Sequence, residues 1–249
     1  MTPRLAHIDR HPVKSHGREE LASVLLSAGR CLPFDRHWAV AQEGAALAPG
    51  WNPCQNFSRG AKSPGLMAIS AQLDEAAGRV TLTHPDRGAI TFAPDDPADL
   101  PAFLNWVAPL VAEGRPAPAR IVAAGRGMTD TPFESVSILS LASLRALGQR
   151  MGREMARDRF RGNLWVEGTA PLEEFDWIGR ELRIGGARLR VVEPITRCKA
   201  TEANPKTGRR DAPTMSTLEP AWGHRDFGVY AEVVEGGLVA TGDVLELIA

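Results

Sequence analysis

The stretch Glu181-Leu-Arg-Ile-Gly-Gly-Ala-Arg-Leu-Arg-Val191 alternates apolar with polar residues on either side of a glycine pair. Side chains of a strand point alternately to its two faces, and glycine accepts the positive φ of a tight turn, so the pattern predicts an antiparallel hairpin with one buried face. Gly228-Val-Tyr-Ala-Glu-Val-Val-Glu-Gly-Gly-Leu-Val-Ala240 has the same layout and predicts a second hairpin turning at Gly236 and Gly237. Between them, Pro194-Ile-Thr-Arg-Cys-Lys-Ala-Thr201 leaves the outgoing strand of the first hairpin and sets Cys198 between Arg197 and Lys199. A thiol between two cations is expected to ionise readily, and the thiolate is the form that attacks electrophiles and binds soft metals.

Outward from this centre the strand signature repeats. Residues 4–9, 37–42, 67–73, 78–84 and 88–92 read as short strands separated by Pro-Gly, Asn-Pro and Asp-Arg-Gly turn signals. Two helices interrupt them. Leu100, Phe103, Leu104, Val107 and Val111 recur at helical spacing behind Asp99 as N-cap, with Pro109 ending or kinking the helix. Ser140 is positioned to cap a second helix whose Leu141, Leu144, Leu147 and Met151 form one apolar stripe, expected to face the core. The segment 113–119 reads as a connector and places a boundary near residue 118, giving domains 1–118 and 119–249. The expected class is mainly β with a few helices, a β-rich α+β fold.

Composition narrows the function. With 249 residues the chain can bury a core without staples, and 24 Gly and 19 Pro suit many short turns. A formal charge of −1 argues against a nucleic-acid partner held by a general basic field, so any anion must be met locally. Three cysteines without a CxxC pair make no disulfide framework, and the start carries no signal-peptide segment, so a cytoplasmic location is expected. No apolar run approaches the roughly 20 residues of a membrane span; the expectation is no membrane partner. His7, His11 and His16 cannot share one face of a helix or strand, Cys31 and Cys54 lack ligand-spaced partners, and Ala124-Gly-Arg-Gly127 lacks the remaining residues of a phosphate-binding or dinucleotide turn.

Five groups of residues, in order, resemble the MOSC superfamily: His11-Pro-Val-Lys-Ser15; Phe34-Asp-Arg-His-Trp38; Arg159-Phe-Arg-Gly-Asn-Leu-Trp-Val166; Thr196-Arg-Cys-Lys-Ala-Thr201 with Asn204-Pro-Lys-Thr-Gly208; and Phe227-Gly-Val-Tyr230 with Thr241-Gly-Asp-Val244. The likeness is to the two-part type, an N-terminal MOSC β-barrel-like module followed by the MOSC domain, represented by the mitochondrial amidoxime reducing component and bacterial relatives. It implies a molybdenum cofactor, molybdenum bound to molybdopterin, with Cys198 as the protein's ligand to the metal and the catalytic residue, and no pyridoxal phosphate. It also implies that Lys14, Ser15, Arg36, Ser135, Arg161, Asn163, Thr196 and Arg197 contact the pterin or its phosphate.

The activity implied is reduction of a small N-hydroxylated substrate, an amidoxime or N-hydroxylated base, to the amine. The alternative is a cofactor carrier or storage protein, or a sulfur carrier with a persulfide on Cys198. The sequence departs from the family at Pro49-Gly-Trp-Asn-Pro-Cys54, where the arginine-bearing turn beside the substrate is not recognisable. Neither a membrane anchor nor an iron–sulfur domain is recognised, so electrons are expected from a separate protein of ferredoxin or cytochrome type with its reductase.

Overall fold

The computed structural model describes residues 2–248 and is built mostly from strands. In chain order its first part contains β1 (Arg4–Arg10), β2 (Glu19–Leu21), β3 (Ser23–Leu26), β4 (Trp38–Gln42), β5 (Ser70–Asp74), β6 (Arg79–His84), β7 (Gly88–Phe92), α1 (Leu100–Val107) and β8 (Pro118–Ala123). There follow β9 (Val136–Ser140), α2 (Leu141–Arg150), β10 (Leu164–Glu167), β11 (Glu181–Ile184), β12 (Ala187–Thr196), α3 (Thr214–Trp222), β13 (Asp226–Glu235), β14 (Gly237–Ala240) and β15 (Leu245–Ile248).

Eight strands form the main sheet in the order β15-β11-β12-β13-β9-β10-β1-β2. Its one parallel pair, β9 with β10, is joined through α2, since parallel neighbours need a crossover and a hairpin cannot supply one. The sheet curls until β1 meets the segment entering β15: the Leu5 amide donates to the Asp243 carbonyl at 2.8 Å, and the Gly242 amide donates to the Leu5 carbonyl at 2.7 Å. Period-two alternation sorts the side chains between two cores. Val136 and Ile138 of β9 and Leu164 and Val166 of β10 pack inside the curl with Leu189, Val229 and Ala231. Leu139 and Trp165 point the other way, against Leu144 and Leu147 of α2 and Leu218 of α3.

The hairpin predicted at 181–191 is present, β11 pairing with β12 in register from Glu181↔Arg190 to Ile184↔Ala187. Ser140 caps α2 as expected, its hydroxyl accepting from the Ala142 and Ser143 amides. The second hairpin does not form. Past Glu235 the chain leaves the sheet, and β14 pairs with β3 from the other end of the sequence. Its two glycines serve close approach: a Cβ on Gly236 would lie 2.6 Å from the Leu26 carbonyl oxygen, and one on Gly237 2.2 Å from that of Gly186. Asp99 precedes α1 but does not cap it; its carboxylate accepts from the Ala93 amide at 2.7 Å. Past α1 the chain continues as a short 3-10 turn, Ala108–Leu110, at Pro109. The strand expected from residue 67 begins at Ser70, because Pro64–Ala68 winds into a 3-10 turn.

In the first part β4 pairs with β8, and β5, β6 and β7 form a three-stranded sheet. These pack with α1 around Trp38, Val80, Leu82, Phe92 and Phe103, and Val13, from the turn after β1, is buried in that same cluster. Among the described residues no helix is long and apolar enough to cross a membrane.

Candidate functional site

A cavity of about 280 Å³ opens where the turns after β1, β12 and the 3-10 turn Arg157–Phe160 meet the loop between β4 and β5. Seven of the residues singled out from the sequence line it: Lys14, Ser15, Arg36, Arg161, Thr196, Arg197 and Cys198. Asn163 and Ser135 do not. Asn163 is buried beneath the cavity, its amide nitrogen donating to the Asp9 carbonyl at 3.1 Å and its amide oxygen accepting from the Ser137 hydroxyl at 2.8 Å. Ser135 is buried against the Thr131 hydroxyl at 2.7 Å, and Ser137, two residues along the same strand face, is the serine that reaches the lining.

The backbone there is unusual. Ser15, Arg36 and Arg161 have φ of 64°, 51° and 49°, the left-handed region that side-chain-bearing residues rarely adopt. Such conformations persist where surrounding contacts over-determine them, and they gather at functional sites. Around Arg36 the fixing contacts are visible: its amide donates to the His11 carbonyl at 2.6 Å, its carbonyl accepts from the Met128 amide at 2.8 Å, and its guanidinium meets Asp35 and the Arg161 carbonyl. Asp35 is itself fully buried and accepts from the His11 backbone and ring. Burial would raise its carboxyl, but Arg36 and His11 hold it well below the usual range. Burial keeps His11 well below the usual imidazole range, with the Arg161 and Arg36 charges adding to it.

Six cations line the cavity, Lys14, Arg36, Arg59, Arg159, Arg161 and Arg197, against one carboxylate, Asp130. Lys14 donates to Asp130 at 2.6 Å and to the Met128 carbonyl at 2.7 Å. Partial desolvation by the cavity opposes ionisation of Asp130, whose side chain is still exposed, and the Lys14 charge outweighs it, bringing the carboxyl down to about 2. Arg161 donates to the Gly17 carbonyl at 3.1 Å and keeps a buried NH2 group with no partner among the described residues. Burial, then the neighbouring Arg36, lowers it to about 9. Arg159 pairs with Asp211 at 2.7 Å while its Nε is buried and unpartnered. Unpaired buried donors in a cationic wall are what a phosphate or similar anion would satisfy.

Cys198 sits just beyond β12 and is exposed at the cavity rim. The expected depression of its thiol is not found: desolvation by the cavity wall pushes it up, and the Arg197 charge offsets this only in part. Arg197 itself points away from the thiol. Its guanidinium turns inward, donating to the Phe227 carbonyl at 2.7 Å and the Phe160 carbonyl at 2.8 Å, and lies 5.5 Å from the Phe160 ring centroid. Thr196 donates to Asp226 at 2.6 Å on the exposed side. Residues given no site role from the sequence complete the wall, among them Cys54, Arg59, Met67 and Tyr230, the last of these from the Phe227-Gly-Val-Tyr230 group. Burial, and after it Asp130, raises the Tyr230 hydroxyl, which therefore stays protonated. Cys54 had carried no ligand-spaced partner in the sequence; folding alone brings it to the cavity of Cys198.

Residues 126–246 match the family model described as MOSC domain. The chain is similar to "Molybdenum cofactor sulfurase" of Anopheles gambiae, 46% identical over 74 residues, which is 29% of this chain and 9% of that protein. It is also similar to "Molybdenum cofactor sulfurase 2" of Culex quinquefasciatus, 34% identical over 110 residues, 41% of this chain and 14% of that protein. The matched segments are thus a small fraction of these relatives' length. Among solved structures, the YUAD protein from Bacillus subtilis aligns over 99% of this chain and 96% of its own, with a TM-score of 0.48 and 15% identity. YiiM from Geobacillus stearothermophilus aligns over 46% of this chain and 54% of its own, with a TM-score of 0.37 and 19% identity.

Proposed function

Taking as premise that residues 126–246 are a MOSC domain, we propose that the cavity binds the molybdenum cofactor and that the protein reduces small N-hydroxylated compounds to amines. The observation that carries this reading is the convergence of six cations and one carboxylate on a single cavity with an exposed thiol at its rim. The donor set fits such a group. Arg161 and Arg159 present buried unpartnered N–H groups suited to a phosphate, Ser15 and Ser137 line the wall as hydroxyl partners for a pterin, and Cys198 offers a soft sulfur ligand. Two-electron reduction of an N–O bond is the chemistry the cofactor supplies when bound.

The chain's own residues do the rest. Arg161 and Lys14 hold the anionic end, and Arg36 keeps the Arg161 turn in place through that residue's carbonyl. Arg197 anchors the strand exit that carries Cys198 by its bonds to Phe227 and Phe160. Tyr230 holds its proton at the phenolic oxygen and can donate it into the cavity. Electrons would come from a separate ferredoxin or cytochrome-type protein.

A second reading is a sulfur carrier or a carrier of the cofactor itself, and the likeness to molybdenum cofactor sulfurases favours the sulfur carrier. Metal and pterin analysis of protein from a cofactor-competent host separates these from no cofactor role, with about one of each per chain expected. Reduced viologen should then drive turnover of benzamidoxime, and Cys198→Ala should abolish it while much of the pterin stays bound. Loaded protein that stays inert with viologen but delivers its pterin to an apo-enzyme would replace the reductase reading with the carrier.

A further inference from the structure

The six cations of the cavity are not equally engaged. Lys14, Arg36 and Arg159 each face a carboxylate, Asp130, Asp35 and Asp211. Arg197 is spent on two backbone carbonyls. Arg161 is half-buried, with one terminal nitrogen on the Gly17 carbonyl and the other unpartnered. Arg59, like Arg161, makes one guanidinium hydrogen bond among the described residues, but its acceptor is not an oxygen: it is the Cys54 sulfur, at 2.9 Å. Sulfur is a weak acceptor, whereas the guanidinium is a rigid fork of donors shaped for a carboxylate. The rest of that fork therefore lines the cavity without a protein acceptor.

The turn that presents it is firmly placed. The Arg59 carbonyl accepts from the amides of Lys62 and Ser63 at 3.0 and 2.9 Å. Arg210, from the loop beyond Cys198, donates to the Ala61 carbonyl at 2.8 Å. Gly60 sits where a Cβ would come within 2.4 Å of the Met67 sulfur and 3.8 Å of the Ala200 Cβ, and a Cβ on Gly208 would come within 2.7 Å of the Gly65 Cα. Close glycine contacts thus press the 59–65 turn onto the loop that begins at Cys198, so Arg59 and Cys198 face one cavity from distant parts of the chain.

We propose that Arg59 and Cys54 form a second anion subsite in this cavity, which takes a small molecule bearing a carboxylate. Arg59 is the one cation this turn gives to the cavity lining, Lys62 being exposed and outside it, and a single planar fork matches a planar monoanion better than a phosphate dianion. Cys54 and Met67 supply the less polar surface against which the carbon skeleton next to the carboxylate rests. The subsite does not depend on the cofactor reading, since every group in it belongs to the protein.

The test uses the cofactor-free protein and two alkylating reagents of similar size, iodoacetate and neutral iodoacetamide. In either reaction the Cys54 sulfur forms a bond to the CH2 carbon, the carbon–iodine bond breaks, iodide leaves, and the thiol proton passes to solvent. Peptide mapping by mass spectrometry reads Cys54 separately from Cys31 and Cys198. The expected rate ratio of iodoacetate to iodoacetamide at Cys54 is about tenfold above that of the urea-unfolded chain, the worth of one charge-assisted contact. Propionate in excess should bring it down, Arg59→Gln should abolish it, and Arg59→Lys, which keeps the charge but not the fork, should lose most of it. Cys198→Ala should leave it unchanged.

A ratio no greater than in the unfolded chain would overturn the proposal, as would no reaction at Cys54 with either reagent. A preference that survives Arg59→Gln or is undiminished in Arg59→Lys would assign it to the general field of the cavity and overturn the subsite. Propionate competition needs only the wild-type protein, so the test stands even where a variant fails to fold.

Discussion

At the scale of single residues, the positions most readable in the sequence were those whose chemistry travels with their neighbours. Lys14, Arg36, Arg161 and Cys198 stand in recognisable runs, and folding gathers them on one cavity. Arg59 and Cys54 stand in no such run; they join the site only through the turn between β4 and β5, which a linear pattern does not report, and Tyr230, though part of a recognisable run, gained no site role until the register of β13 set it in the cavity wall. Environment was equally hidden: desolvation pushes the Cys198 thiol up, and the charge of Arg197, whose guanidinium turns inward to carbonyls, offsets that only in part. Another buried group leaves no mark in the sequence pattern. Glu174 is fully buried, one oxygen accepting from Ser143 at 2.8 Å and the other unpartnered. Burial raises its carboxyl to about 7 from an ordinary 4.5. A raised folded-state value means that the native state favours the neutral acid, so the associated stability is full below about pH 4.5 and is lost as pH rises through 7. Glu174→Gln, neutral at all pH, should therefore stabilise the protein at pH 8 by on the order of 2 kcal/mol. Denaturant titrations should show that advantage vanish near pH 4.5; a pH-independent difference would refute the assignment.

At the scale of elements, alternation and capping were reliable where the segment's fate was local. β11 and β12 turn on their own glycine pair, and Ser140 caps α2 because both cap and helix lie within four residues. The 228–240 segment carries the same signature with a different outcome, because its glycines answer to Leu26 and Gly186, far away in sequence. α3 left little trace, having Pro220 in its last turns and Pro213 at its entrance. β8 begins within the stretch read as a connector, its pairing with β4 supplied by a strand about eighty residues earlier. The role assigned to Gly237 has a direct consequence. Its replacement by Ala would set a Cβ 2.2 Å from a backbone oxygen that cannot rotate away, so Gly237→Ala should cost about 1–3 kcal/mol, as overpacking does. Gly179→Ala is the contrast: open space surrounds a Cβ there, and only its φ of +83° opposes the side chain. Thermal unfolding of the two variants compares a packing clash with conformational strain alone.

At the scale of the whole molecule, strands from the first 26 residues are hydrogen-bonded to strands beyond residue 163: β1 to β10, and β3 to β14. A fragment of residues 119–249 should therefore expose the unpaired edges of β10 and β14 and aggregate, whereas co-expression with residues 1–118 should recover a soluble, cooperatively unfolding complex. Gel filtration with circular dichroism checks this; a monomeric, cooperatively melting 119–249 fragment would show that the N-terminal strands are dispensable. Composition made the strand-rich class legible, but this interleaving of both ends was not, since each strand looks the same whichever neighbour it finds. The closure of β1 against residues 242–245 also orders events in time. Ribosomes deliver the N-terminus first, yet the cavity draws on residues from Lys14 to Tyr230 and the curl is fastened later still. The chain thus has no finished pocket to offer until residues 14 to 245 have all emerged, and any ligand of the cavity must be acquired after that point.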